Sequence, residues 1–506
     1  MQKKAFHKKL VANIELIKQE LHQTGDLIVR VFTISFQKYP EIKGALCYLD
    51  GMASSATINS EILRPLLLDA RRFDEPPDAD ILTYLSHSVL PAGELAEADD
   101  LESALLAIMS GEVVLLLDEI DRALTVDTKG WDRRGIEPSQ TEAVIRGPRD
   151  AFTESISQNL MLVRRRIRDP NLVFHRMKIG QRGRNDIAVA YIEGIAKPEL
   201  IAEVKNRLEK VDMDIILDSG YIEQIIEDDW WSPFNTLQDT ERPDEVAAGL
   251  TEGRLAIIVD NTPFALLAPA TFNTQMMSPE DYYVRWPAVN FIRIIRFVAS
   301  FVALLTPALY IAVVAYHPEM LPTQLALSIA AAREGIPFPS FVEAVIMELA
   351  LELLREAGLR LPGPIGQTIG IVGGLIVGDA AVRANLVSPV MVVVVALTAI
   401  AGFIIPTYSL GFGLRVTRFY LMFMAATLGL YGLTISLLVL LGHLATLTSF
   451  GVSFLSPWAP LNVHDLRDSI FRAPWHKLNN RPSFTEPLDQ ARQSRRSKKQ
   501  RKARKR

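Results

Sequence analysis

The chain has a single cysteine, Cys47, in 506 residues, which excludes an intramolecular disulfide and a cysteine-rich metal site. It has no G-x-x-x-x-G-K-S/T loop. Val113–Glu119 (VVLLLDE) has the strand-then-Asp form that holds Mg²⁺ in nucleotide hydrolases, but nothing in the chain would cradle the phosphates. The eight histidines lack H-x-x-x-H or H-E-x-x-H spacing, and no G-x-S-x-G elbow occurs. Charge of one sign is nearly absent as an excess: the net value of −4 gives no reason to expect a nucleic-acid partner. The N-terminal stretch MQKKAFHKKLVANIELIKQELHQTG is basic, then amphipathic, and Glu15, Lys18 and Glu20 interrupt any apolar core, so it does not read as a secretory signal. These absences predict a protein that is not an enzyme and carries no cofactor or metal.

The apolar residues are unevenly placed. Mean hydropathy is only +0.16, yet three long uncharged runs follow residue 290. The expected architecture is an α/β cytosolic N-terminal region of two subdomains plus an all-α transmembrane bundle of about four spans. The expected limits are a basic amphipathic segment at 1–25, α/β subdomains at 26–140 and 141–285, a transmembrane bundle at 286–450 and a basic, largely disordered tail at 451–506. Strands are expected at Lys43–Leu49, Glu112–Leu117, Arg254–Val259 and Asp214–Leu217, each closed by Asp or Asp-Gly punctuation. Helices are expected at Pro198–Val211, Ser219–Glu227 and Ala151–Arg168. The last ends in Arg164, Arg165, Arg166 and Arg168, cations that complement its dipole. The charge- and Gly/Pro-rich stretch 131–150 marks the break between subdomains.

The spans expected to cross about 30 Å of hydrocarbon are Phe297–Tyr316, Pro389–Ile405 and Phe419–Leu447. Ile365–Leu386 is a less standard fourth, with Gly366, Gly370, Gly374 and Gly378 on one helical face. That stripe suits tight packing within a subunit or a pore or oligomer seam. Asp379 and Arg383, four residues apart near its end, can neutralise each other. The helix Ser340–Ala357 is different: its five charges cost about 15 kcal/mol against about 4 kcal/mol gained from its aliphatics, so free insertion loses. Ser340 and Glu343 have capping-box spacing. Glu348, Glu352 and Glu356 share a face that needs water, a partner or an ion, and they are the candidate ion pathway. Arg285, Arg293 and Arg296 precede the first span, and Arg467, Arg472 and Lys477 follow the last. Both termini are therefore expected to be cytosolic, with Arg415 and Arg418 in an outer loop and the acidic helix free to be re-entrant. Ten of the last sixteen residues are Lys or Arg, which makes the tail a candidate for anionic lipid headgroups.

Three blocks then resemble the A subunits of GerA-type spore germinant receptors: Val144–Ile167, Thr240–Phe272 and Arg333–Pro389. The resemblance implies a spore inner-membrane protein working with a transporter-like B subunit and a lipoprotein C subunit. It also implies homo-oligomerisation around a ligand-gated pathway for monovalent cations. A SpoVAF-like amplifier of ion release, or a non-conducting scaffold, is the alternative. In the scaffold case Arg146, Arg149, Arg164, Arg165 and Arg166 are the candidate subunit interface.

Overall fold

The computed structural model describes residues 4–37, 40–72, 81–130, 139, 142, 144–360 and 378–493. The chain divides into two compact units: one of residues 1–226, 239–269 and 479–506, the other of residues 227–238 and 270–478.

The first unit is α/β, with two five-stranded sheets. The first sheet is β1 (Leu27–Ile34), β2 (Ile42–Leu49), β3 (Leu95–Ala98), β4 (Val113–Leu117) and β5 (Ala123–Val126), in the order β1-β2-β4-β5-β3. The second is β6 (Leu172–Ile179), β7 (Asn185–Ile192), β8 (Gln238–Thr240), β9 (Leu255–Val259) and β10 (Ala265–Ala268), in the order β6-β7-β9-β10-β8. Rank by rank the two orders are the same. Helix α1 (Leu10–Glu20) precedes the first sheet and α2 (Leu101–Met109) leads into β4. Correspondingly α3 (Ile156–Arg164) precedes the second sheet, α4 (Pro198–Glu209) and α5 (Ser219–Ile226) follow β7, and α6 (Pro243–Thr251) leads into β9.

The likeness extends to single residues. Gly111 and Gly253 both take a left-handed turn (φ +88° and +90°) into the fourth strand of their sheet, where a Cβ would be strained. Seven residues on, Asp118 and Asp260 accept the N–H of Leu10 and of Ile156, the first residues of α1 and α3. The next residues, Glu119 and Asn261, are both left-handed at φ +67° and +69°. Inside the helices, buried Asn13 and Asn159 each bridge both backbone groups of a residue six positions earlier, His7 and Thr153. The two halves of the unit are thus built on one α/β plan.

Helices α1, α2, α3 and α6 share one core with the inner faces of both sheets, from Leu10, Ile17 and Leu105 to Leu160, Val246, Ala256 and Ile258. The VVLLL run of β4 is continuous because both its faces are covered: Val114 and Leu116 enter that shared core, while Val113, Leu115 and Leu117 enter a second one. The N-terminal basic segment is thus the first helix of the fold, held by buried Leu10, Ile17 and Leu21.

Three expected strands are present as β2, β4 and β9, but Asp214–Leu217 is loop. Its backbone is held by the β6–β7 turn: Gln181 donates to Met213, and Arg182 and Gly183 both donate to Asp214. Residues 451–493 are ordered, contrary to the expected tail. Phe454 is fully buried in the second unit, while Arg481 and Thr485 donate to the carbonyls of Thr251 and Glu252 in the first. Residues 494–506, which carry most of the basic block, lie outside the described residues.

The second unit is mainly helical: α7 (Trp286–Tyr316), α8 (Thr323–Arg333), α9 (Ser340–Arg360), α10 (Pro389–Phe403) and α11 (Tyr408–Thr446). Among the described residues two helices, α7 and α11, are long and apolar enough to cross a membrane, and α10 is a shorter apolar helix. Helix α11 is not one rod. Gly429 has φ +62° and ψ −141° inside it. A straight helix would place Gly413 and His443 about 45 Å apart, yet Ser232 bonds His443 at 3.0 Å and Pro233 packs against Gly413. The chain therefore folds back at Gly429 into two antiparallel arms. The Tyr316 hydroxyl at the end of α7 donates to the Ala426 carbonyl at this tip, with the Thr427 carbonyl 3.2 Å away. The expected single span Phe419–Leu447 thus runs across a hairpin. Most of the expected span Ile365–Leu386 lies outside the described residues.

Candidate functional site

The acidic face of α9 lies against the first arm of α11. Glu348 Oε2 pairs with Arg418 Nη1 at 2.7 Å, and each side chain is only 4% exposed. One turn on, Glu352 pairs with Arg355 at 2.7 Å and with Arg415 at 3.4 Å. One turn before, buried Glu343 pairs with Arg333 at 2.9 Å and accepts the Ser388 N–H at 2.9 Å. The carboxylate expected to close a capping box on α9 is instead spent across helices. Aromatic faces cover the cations: Arg415 lies over Tyr408 and Phe412, and Arg355 over Phe403. Glu356 is exposed.

Arg415 and Arg418 are not in a loop, because α11 begins at Tyr408 and carries them in its first arm. In low dielectric, removing one member of such a pair leaves a buried charge at a cost of about 3–5 kcal/mol. The candidate ion-pathway carboxylates Glu348 and Glu352 therefore stand neutralised, in a ladder of interhelical ion pairs. The signal that could have found their partners is the three-residue spacing of Arg415 and Arg418 soon after Pro406-Thr407, a helix start.

Of the glycine stripe, Gly366, Gly370 and Gly374 lie outside the described residues. At Gly378 a Cβ would sit 3.5 Å from Val392 on α10, an ordinary contact within the chain. Asp379 and Arg383 pair at 2.9 Å on the surface. Arg293 and Arg296, expected to flank the first span, are buried on Asp281, with Arg293 also on Asp468.

The arginine cluster of the first unit separates into two kinds. Arg164 is not available to a partner: its guanidinium is 1% exposed, pairs with Asp26 at 2.9 Å, donates to the Leu172 carbonyl and lies over the Phe174 ring. Arg166 Nη2 donates to both carboxylate oxygens of Asp150, at 2.6 and 2.7 Å, and Arg165 approaches the same carboxylate at 3.8 Å. These contacts hold Asp150 below the ordinary carboxylate range against the opposing effect of burial. Arg146 and Arg149 are exposed. Asp118, the residue in the metal-binding position of the Walker-like strand, caps α1.

Sequence reasoning missed one further cluster. Oε2 of Glu142 and Oε2 of Glu245 both approach the Thr240 hydroxyl, at 2.7 and 3.2 Å, while that oxygen accepts the Arg242 N–H. A hydroxyl has one hydrogen, so two ionised carboxylates cannot both accept from it. Burial, the largest cause, raises the Glu245 carboxyl to about 7 against the pull of Arg254; burial and then the Glu245 charge raise Glu142.

A family model described as "Bacillus/Clostridium GerA spore germination protein" matches residues 15–484. The chain is 42% identical to spore germination protein KA of Bacillus subtilis over 96% of its own length and 88% of that protein. It is also 42% identical to the uncharacterized membrane protein YfkQ of the same organism, over 94% of this chain and 90% of that one. A solved structure, the N-terminal domain of the A subunit of the Bacillus megaterium spore germinant receptor GerK3, matches at 36% identity and a TM-score of 0.43, covering 54% of this chain and 99% of that one.

Proposed function

The chain belongs to the GerA family of spore germination proteins, and from that membership we propose that it is a germinant-receptor A subunit. It oligomerises in the spore inner membrane and gates monovalent cations when nutrient is sensed, acting with B and C subunits. The observation that carries the reading is the Glu348–Arg418 pair, buried between α9 and the hairpin arm of α11, about 16 Å from the Gly429 tip. Ionisable groups at such depth are costly and are kept for ion paths or switches. The pair is the latch of a closed state, and its separation frees the Glu348 and Glu352 carboxylates to attract cations.

Planar-bilayer recording from the purified full chain tests this. Cation conductance is expected in wild type and is expected to rise in Arg418→Gln, which opens the pair and keeps the Glu348 carboxylate, since each 1.4 kcal/mol removed from the closed state shifts the equilibrium about tenfold. The neutralised ladder also favours a second reading, a non-conducting scaffold. Silence of both proteins despite confirmed oligomers would establish the scaffold and end the first reading.

A further inference from the structure

The second unit leaves two of its largest apolar side chains in the open. Trp230 and Trp231 are 72% and 78% exposed, with ring centroids 4.9 Å apart. Their position is nonetheless fixed from both sides. Asp228 Oδ2 accepts the Phe450 N–H at 2.7 Å, and Asp229 Oδ1 accepts the Trp231 N–H at 3.1 Å. After the pair, Ser232 bonds His443, and Phe234 is fully buried beside Gly413, where a Cβ would come within 2.5 Å of the Pro233 carbonyl. The segment is clamped across the open end of the α11 hairpin.

Gly413 and His443 lie sixteen and fourteen residues from Gly429, so the pair sits about 21–24 Å from the tip. With the tip set at one boundary of a hydrocarbon layer about 30 Å thick, these two residues stop roughly 6–9 Å short of the other, and Asp228, two residues before Trp230, reaches Phe450 past the helix end at Thr446. Between Gly413 or His443 and the tip, the arms expose the large apolar side chains Tyr420, Phe423, Leu438 and Val439. In the chain the pair follows directly on Glu227, Asp228 and Asp229. Exposed indoles, each with one N–H donor, between an acidic run and apolar helix arms are the chemistry of the headgroup layer, where tryptophan is enriched.

We propose that Trp230–Trp231 is a membrane-interface anchor whose partner is the lipid headgroup layer, setting the depth of the α11 hairpin. The proposal rests on the reading of this unit as membrane-embedded.

The test uses the full chain reconstituted in phosphatidylcholine vesicles whose acyl chains are brominated either near the headgroup or near the chain end. The chain has six tryptophans, so the contribution of the pair is the emission lost in Trp230→Phe/Trp231→Phe. That component is expected to be blue-shifted and quenched about twofold more by the shallow bromines than by the deep ones. An unquenched, red-shifted component in vesicles that retain the chain through alkaline carbonate overturns the anchor and leaves the membrane reading intact. So does quenching that appears only after another receptor subunit is added, which would assign the face to a protein. Release of the chain by carbonate overturns both. Should the double variant not reconstitute, Trp230→Cys gives a second readout, because Cys47 is buried. Protection from an impermeant maleimide in vesicles open to both faces, lost in detergent, is expected; equal labelling in both overturns the anchor.

Discussion

The two halves of the α/β unit are built on one plan and differ where something else attaches. Both keep the turn glycine (Gly111, Gly253), the helix-capping aspartate (Asp118, Asp260) and the bridging asparagine (Asn13, Asn159). These are what the plan requires of a sequence. Eleven residues before the turn glycine, the first half has Asp100, an ordinary cap that accepts the Ser103 N–H at 2.8 Å. The second half has Arg242 and, in place of Ser103, Glu245. There the corner holds buried charge, and Arg242 reaches the carbonyls of Glu142 and Pro148 in the linker between the halves. Similarly the eighth residue after the helix start is Lys18 in α1 and Arg164 in α3, and only Arg164 is sunk into a pair, with Asp26 of the other half. The shared plan is the same in both halves; the cations that reach across, Arg164 and Arg176, come from the second, and their partners Asp26 and Asp50 from the first.

The largest expected effect falls on that asymmetry. Arg164→Ala should lower the stability of the α/β unit by about 3–5 kcal/mol because it strands Asp26, whereas Lys18→Ala should change it by no more than about 0.5 kcal/mol. Denaturant unfolding of the full chain, followed by a probe in this unit, checks both. Next comes pH. Glu245 titrates at about 7 when folded against an ordinary 4.5, so the folded state holds the extra proton between those values and stability falls as pH rises through that window. Glu245→Gln should flatten this fall, because Glu142 also loses the Glu245 charge that raises it, while Ser103→Ala in the first half should leave the pH profile unchanged. The smallest effect is a test of equality. Asn13→Ala and Asn159→Ala should each cost about 1–3 kcal/mol through orphaned backbone groups, and a clear inequality would break the argument for one shared plan.

Much of this was legible in the sequence. The aliphatic runs that became β2, β4 and β9, the helices α4, α5 and α9 and the apolar character after residue 290 follow from composition and punctuation. Asp214–Leu217 misled because Ile216 is buried while Ile215 and Leu217 are exposed in a loop, so three aliphatics in a row carried no ladder. The shared plan was illegible because few side chains are shared and the apolar ones interchange freely. The hairpin was missed because Gly429 sits in an uncharged run whose hydropathy is the same for one long helix or two arms. For the same reason Arg415 and Arg418, placed in an outer loop by the count of crossings, were not matched with Glu348 and Glu352. Pairing across helices is a property of packing, and no window of sequence contains both partners.

The measurement that tests the central claim most directly is germinant-triggered potassium release from spores whose receptors carry Glu348→Arg, Arg418→Glu, or both. A latch requires each single reversal to abolish germinant control and the double exchange to restore it, with receptor levels unchanged. Singles that behave as wild type, or a double as impaired as its parents, would contradict it.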